Sequence, residues 1–445
     1  MKKVLFLLTV FCCFVIAAGE KLPKYIILFI GDGMTYPQRM VAEEFVRKTA
    51  DSKLAMNHFP WHATTRSSSA NSIVTDSAAS GTAIACGQKT DNGRIGMDSS
   101  GKVKLQSVAE VAAAKGWKVG IVSTMVINHA TPASFYGHRK SRQMYYELGL
   151  DMINSGFDYF AGGGISQKSR GYTGPARADI YELARKKGYK TLNNRKDFLA
   201  LKPGCGKIIY SAAPGYMPVV IDAPQDASAL AEMTAKGLEL LKNPKGFFLM
   251  VEGGSVDTCG HRNEAAGNLR EVLALDEAVK AAVKFAEKHP DDTLIVVTGD
   301  HETGGMTMGC AATGYAMYPE RLANQKCSAW KFAGKVKAAQ KQNPALSFDA
   351  VKKMLSDDFG FNFKDPKAPM GLNAAQLKLL EDGFKKKRIE SAVKNVINQK
   401  AGIGWTTSAH TALPVLTTSY GVQGKRFTGF IENTDISNKL KELIR

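Results

Sequence analysis

Short apolar runs of strand length alternate with amphipathic segments along most of this chain, and that alternation restricts the fold more than any other feature. Runs at 25–30, 119–123, 218–221, 247–251 and 294–297 are β-branched or aromatic, and several end in a polar or glycine-rich turn. Between them, 36–48, 105–115, 144–152, 228–241 and 267–288 carry apolar residues at helical spacing. The pattern predicts an α/β fold, a three-layer sandwich with a large, mostly parallel central sheet and helices on both faces. Strand-like sequence returns at 413–418. Two stretches read as additions. Residues 160–215, rich in Gly, Lys and Arg, interrupt the sheet; 311–400 reads as a helical insertion near the site, broken by Pro319, Pro344, Pro366 and Pro369. A small second domain is the alternative for the latter. No repeat or low-complexity segment is visible, which argues against a solenoid or a disordered chain.

The first 19 residues read as an address rather than as fold. Lys2 and Lys3 precede an apolar run from Val4 to Ala18, and Ala17-Ala18-Gly19 supplies small residues for cleavage. This is the layout of a secretory signal peptide. The run is shorter than the roughly 20 residues that a membrane helix needs, and no other segment qualifies. A periplasmic or secreted protein without a membrane span is therefore expected. Without the leader, 57 basic residues face 41 acidic ones, a balance of +16. Such a surface favours anions, but the basic residues are scattered and no nucleic-acid-binding signature is present. Five cysteines remain: Cys86, Cys205, Cys259, Cys310 and Cys327. Cys310 and Cys327 enclose a 16-residue loop that a disulfide could close, and a reduced set is the alternative.

In open α/β sheets, chemistry gathers at the carboxyl ends of strands. Three of the predicted strands end in acids or histidines. Asp32 follows the first in Gly31-Asp32-Gly33-Met34. The fourth leads through Glu252-Gly253-Gly254 to Asp257 and His261, four apart and so on one helical face. The fifth ends in Gly299-Asp300-His301-Glu302. His410 precedes the last strand. Four carboxylates and three imidazoles gathered at strand tips would repel one another or stay unpaired without cations. The supply suits more than one metal ion, and a metal pair can clamp both oxygens of a phosphoryl displacement.

Ser77, in Thr75-Asp76-Ser77-Ala78-Ala79-Ser80-Gly81, opens a predicted helix. There a hydroxyl meets backbone N–H groups and the positive end of the helix dipole. A serine needs activation to attack, and a nearby cation can supply it. Thr75 and Ser80 are rival hydroxyls. Arg142 offers a two-pronged grip on phosphate oxygens, with Arg139 as competitor.

These motifs, in this order and at this spacing, resemble the alkaline phosphatase family: Gly31 to Met34, Thr75 to Ala79, Ala130-Thr131-Pro132 to Arg142, Val251 to His261, Gly299 to His301, and His410-Thr411. The resemblance covers most of residues 20–445, which would form one catalytic domain. It implies hydrolysis of small phosphate monoesters through a phosphoserine at Ser77. It implies Asp257, His261 and His410 around one Zn²⁺, and Asp32, Asp300 and His301 around a second that also activates Ser77. Asp32, Thr131 and Glu252 would hold a third ion, usually Mg²⁺. Arg142 would grip the phosphate, and a homodimer is expected. His129 stands where some members have Asp, and Thr258 where some have Lys, His or Trp. A nitrogen from His129 beside the third ion would shift it from Mg²⁺ towards Zn²⁺. A phosphodiesterase or sulfatase on the same scaffold, or a non-catalytic anion-binding protein, are the competing readings.

Overall fold

The computed structural model describes residues 21–170 and 175–445, so the expected leader lies outside the described residues. Fourteen strands are present among them: β1 Tyr25–Gly31, β2 Trp61–Arg66, β3 Lys118–Ser123, β4 Tyr159–Gly162, β5 Tyr189–Leu192, β6 Lys207–Ser211, β7 Phe247–Gly253, β8 Thr293–Gly299, β9 Glu302–Thr303, β10 Met306–Met308, β11 Ile403–Trp405, β12 His410–Thr411, β13 Val415–Gly421 and β14 Gly429–Glu432. Ten form one central sheet in the order β14-β2-β13-β8-β1-β7-β3-β4-β6-β5. Among its described strands only β13 runs against its neighbours β2 and β8. The α/β reading, with a mostly parallel sheet between helices, is what the chain forms.

The central strands show why. Every residue of β1, β7 and β8 is buried. Parallel strands covered on both faces read as continuous apolar runs, and these do. Side chains alternate across the sheet: Ile27 and Phe29 join the core on one face, Ile26, Leu28 and Ile30 that on the other. On the first face pack the helices Tyr36–Ala50, Ala229–Leu241 and Ala265–Lys288; on the second, Ser77–Cys86, Val108–Ala114 and Asn433–Leu443. Each fully buried large side chain contributes about 1.5–3 kcal/mol.

Three expectations are corrected. Residues 160–215 do not interrupt the sheet: β4, β5 and β6 extend its far edge, all parallel. The run at 218–221 is no strand. Its Val220 N–H donates to Glu271 Oε1 at 2.7 Å, and Asp222 N–H turns back onto the Val219 carbonyl. Burial of Val219 and Ile221 explains the apolar run without any strand partner. The Cys310–Cys327 link is not formed either, since all five cysteines among the described residues are free thiols; Cys310 Sγ instead lies 3.8 Å from the Thr313 hydroxyl. Within 311–400 lie four helices, Ala329–Gln342, Phe348–Phe359, Ala374–Lys385 and Ile389–Ala401. No helix among the described residues is long and apolar enough to cross a membrane.

Candidate metal centre

The register of three neighbouring strands assembles the site. Gly31 of β1 pairs with Gly253 of β7 on one side and Gly299 of β8 on the other. Asp32 and Asp300, each next after its glycine, therefore leave the sheet at one height, and Glu252 stands one residue inside it. Gly33 has φ +72°, and a Cβ there would lie 2.9 Å from Asp257 Cα, so only glycine lets this turn approach the helix Ser255–His261. That helix presents Asp257 and His261 with 3.3 Å between Oδ1 and Nε2.

His410 arrives by a different route. β13 runs antiparallel to β8, so the chain entering it comes from the acid-bearing end of the sheet. β12 pairs with β9 in a register that sets His410 opposite Thr303. Its ring stacks on His301 with centroids 3.7 Å apart, and its Nε2 lies 3.5 Å from Asp257 Oδ1 and 3.2 Å from His261 Nε2. Backbone carbonyls fix both outer imidazoles: Thr75 O accepts from His410 Nδ1 at 2.8 Å, and Ser408 O from His261 Nδ1 at 2.7 Å. Each Nε2 is thereby turned towards Asp257, where it can donate a proton to that carboxylate or, once deprotonated, offer a lone pair to a cation.

Ser77 begins the helix Ser77–Cys86 and is buried, its Oγ 3.2 Å from His301 Nε2. Asp76 caps that helix, one oxygen accepting from Ala79 N–H at 2.9 Å while the other accepts from an Arg142 guanidinium nitrogen at 3.0 Å. A second Arg142 nitrogen lies 3.2 Å from His129 Nε2. Thr131 Oγ1 is 3.4 Å from Asp32 Oδ2. The eleven residues singled out from sequence thus fall in one cluster. Their rivals do not compete. Arg139 is bound on both prongs by Asp151, Ser80 Oγ donates to the Asp300 carbonyl at 2.6 Å, and Thr75 Oγ1 donates to the Asp76 carbonyl at 3.0 Å.

Three donor sets converge within 4.8 Å: Asp257 with His301 and His410; Asp32 with Asp300 and His301; Asp32 with His129 and Glu252. They share Asp32 and His301, so the sets form one chain of sites. Asp32 Oδ1, Asp300 Oδ2, Glu252 Oε1 and His129 Nδ1 are buried with no hydrogen-bond partner. Unpaired buried acceptors are costly, and a cation is the partner this donor set fits.

The titration behaviour agrees. Burial, then repulsion by Asp300, Asp257 and Glu252, drives Asp32 far above the carboxylate range. Burial lifts Asp300 to about 7 and Glu252 to about 8, each repelled by a neighbouring acid. Burial also opposes the Asp257 charge, but the hydrogen bond from His410 and the surrounding imidazoles hold it below the usual range. Burial and the Arg142 charge push His129 down to about 3, so its ring is neutral and able to bind a cation. The metal-free protein must protonate acids that a cation would keep charged.

Sequence reasoning missed the supports. Thr303 Oγ1 donates to Asp257 Oδ1 at 2.6 Å and lies 3.2 Å from His301 Nδ1. Ser123 donates to Glu252 because β3 and β7 pair those residues in register. Glu302, beside Asp300 and His301 in sequence, accepts from Thr411, Gln38 and two backbone N–H groups and so braces the β9 turn.

An α/β sheet carrying fused carboxylate–imidazole sets beside a helix-capped serine and a held arginine defines a metal-dependent hydrolase of phosphate esters. The alkaline phosphatase family model matches residues 23–445. The chain belongs to the alkaline phosphatase family and is a metal-dependent phosphomonoesterase. It is 32% identical to alkaline phosphatase 3 of Bacillus subtilis over 94% of this chain and 88% of that one. It is 32% identical to the Escherichia coli alkaline phosphatase over 64% of this chain and 71% of that one. The cold-active alkaline phosphatase of a psychrophilic Shewanella superposes with a TM-score of 0.82 at 30% identity, over 95% of this chain and all of that chain. A histidine-to-glutamate variant of the alkaline phosphatase from the Antarctic bacterium TAB5, solved with magnesium in its M3 site, gives a TM-score of 0.69 at 25% identity, over 96% of this chain and 99% of that one.

Proposed function

We propose that the chain hydrolyses phosphate monoesters by two displacements through a phosphoserine at Ser77. The observation that carries this reading is the placement of Ser77 Oγ, buried at a helix N-terminus 3.2 Å from His301 Nε2 and next in sequence to Asp76, whose carboxylate holds Arg142. Arg142 receives two phosphoryl oxygens, orienting the phosphorus towards Ser77. The Ser77 hydroxyl loses its proton to solvent as Oγ bonds to phosphorus, the bond to the ester oxygen breaks, and that oxygen takes a proton from water and leaves as the alcohol. Water then attacks the phosphoserine, restoring Ser77 and releasing inorganic phosphate. Asp257, His261 and His410 would hold one Zn²⁺, with His301 close by; Asp32, Asp300 and His301 a second; and Asp32, Thr131 and Glu252 a third ion. Such cations lower the pKa of a hydroxyl and offset charge on the transferring group. Acid quenching during turnover of p-nitrophenyl phosphate, followed by peptide mass spectrometry, should place one phosphate on Ser77. Label on any other residue overturns the assignment.

The third ion is read as Mg²⁺ in competition with Zn²⁺, because His129 supplies a nitrogen where only oxygens would favour Mg²⁺. Added Mg²⁺ should therefore activate slowly or incompletely. Elemental analysis before and after magnesium soaking checks this, and full, immediate activation would count against it. Residues 20–445 act as one catalytic domain, with 311–400 as its helical insertion. The basic head, apolar run and small residues of 1–19 support export to the periplasm or medium, and the family supports a homodimer.

A further inference from the structure

The rim of the site holds an aromatic side chain that the chemistry above leaves without a task. Tyr216 is 52% exposed, yet its ring sits edge-on to His129, with centroids 6.3 Å apart and planes at 75°. His129 in turn contacts Arg142, the proposed phosphate grip. A half-exposed tyrosine one side chain from an anion-binding arginine is placed where the organic part of a bound ester would emerge.

Tyr216 is also held rather than loose. The carbonyl of Gly215 accepts from Gly164 N–H at 2.7 Å, and Met217 N–H donates to the Thr124 carbonyl at 3.1 Å. The backbone is thus pinned on both sides of Tyr216, to the ends of β4 and β3. The close approach depends on Gly164, where any Cβ would collide with the Pro214 carbonyl. Ile73 and Val74, just ahead of the Thr75–Ser77 segment, leave further apolar surface exposed.

We propose that Tyr216 forms the wall of a leaving-group subsite that takes planar aromatic alcohols, so that aryl phosphates are bound in preference to alkyl phosphates of equal charge. Offset or edge-on packing of a substrate ring against a fixed tyrosine supplies attraction that an alkyl chain cannot match. A rigid aromatic also loses little freedom when a ligand packs on it.

The inference rests on the Ser77–Arg142 reading, and the test separates the two. Phenylphosphonate and methylphosphonate carry the same anionic head on a carbon that cannot leave. Both should compete with p-nitrophenyl phosphate in the metal-loaded wild type, phenylphosphonate more tightly. In Tyr216→Ala the phenylphosphonate inhibition constant should rise about fivefold, the loss expected for one aromatic pair. The constants for methylphosphonate and inorganic phosphate should stay within about twofold, and Tyr216→Phe, which keeps the ring, should match wild type. An equal rise for both phosphonates would make Tyr216 a prop for His129 and overturn the subsite, as would no change for either. Failure of both phosphonates to compete with the wild-type enzyme would instead reject the phosphate-binding reading beneath it.

Discussion

Replacing Ser77 by alanine should lower kcat for p-nitrophenyl phosphate at least about 1,000-fold while leaving the metal content unchanged. Removing a nucleophile that forms a covalent intermediate typically costs several orders of magnitude, because the reaction must fall back on direct attack by water. The residual rate should exceed that in water, since Arg142 and the donor sets remain. The structure gives reason to expect an intact fold. Ser77 Oγ has its contact with His301 and carries no capping duty, which falls to Asp76 through Ala79. The rapid first-turnover burst of p-nitrophenol should vanish with the phosphoserine. Elemental analysis must accompany the kinetics, because a variant that lost its ions would be inactive for another reason. Near-normal activity in a fully loaded Ser77→Ala protein would move the nucleophile elsewhere. Thr75 and Ser80 would be poor heirs, as their hydroxyls already donate to backbone carbonyls.

How far the sequence exposes this site depends on how each residue reaches it. β1, β7 and β8 are continuous apolar runs because both faces are covered, and their carboxyl ends carry Gly-Asp or Glu-Gly where the chain turns. That signal is local, so Asp32, Glu252 and Asp300 could be read directly. β2 could not. Trp61-His62-Ala63-Thr64-Thr65-Arg66 lies near the sheet edge, half exposed, and forms a strand through its pairing with β13 and β14 rather than through its own pattern. β4, β5 and β6 are only four or five residues long and sit among lysines and glycines, so their pairing prevails over a weak local preference. The run at 218–221 erred the other way: it is apolar because it packs against the core. Thr303 and Tyr216 carry no local mark. Each matters through a neighbour far away in sequence, Asp257 in the first case and His129 in the second.

The chelated protein should lose stability as pH rises from about 4 to about 8, whereas the metal-loaded protein should not. The sign follows from the acids of the site. Folding raises the pKa of Glu252 to about 8 and of Asp300 to about 7, and it raises Asp32 as well, burial being the main cause each time. An unfolded carboxylate titrates near 4. Between these values the folded chain binds more protons than the unfolded one, so stability falls with rising pH. The contribution is complete below about pH 4, and that of Asp300 and Glu252 is lost on passing through 7 to 8. Asp257 runs opposite, because its folded pKa lies below the usual range, and its contribution is lost only in more acidic solution. Bound cations remove the conflict by holding all four groups charged in the folded state. Scanning calorimetry of the EDTA-treated protein should show Tm lower by at least about 5 °C at pH 8.5 than at pH 5. That size follows from roughly 1.4 kcal/mol for each tenfold change in proton affinity and from a large unfolding entropy. Re-addition of Zn²⁺ should raise Tm far more at pH 8.5 than at pH 5, since at acid pH the ions must displace protons from the same oxygens. A chelated protein whose Tm rises between pH 5 and 8.5, or a zinc effect equal at both, would mean that these carboxylates do not share an enclosed, cation-seeking space.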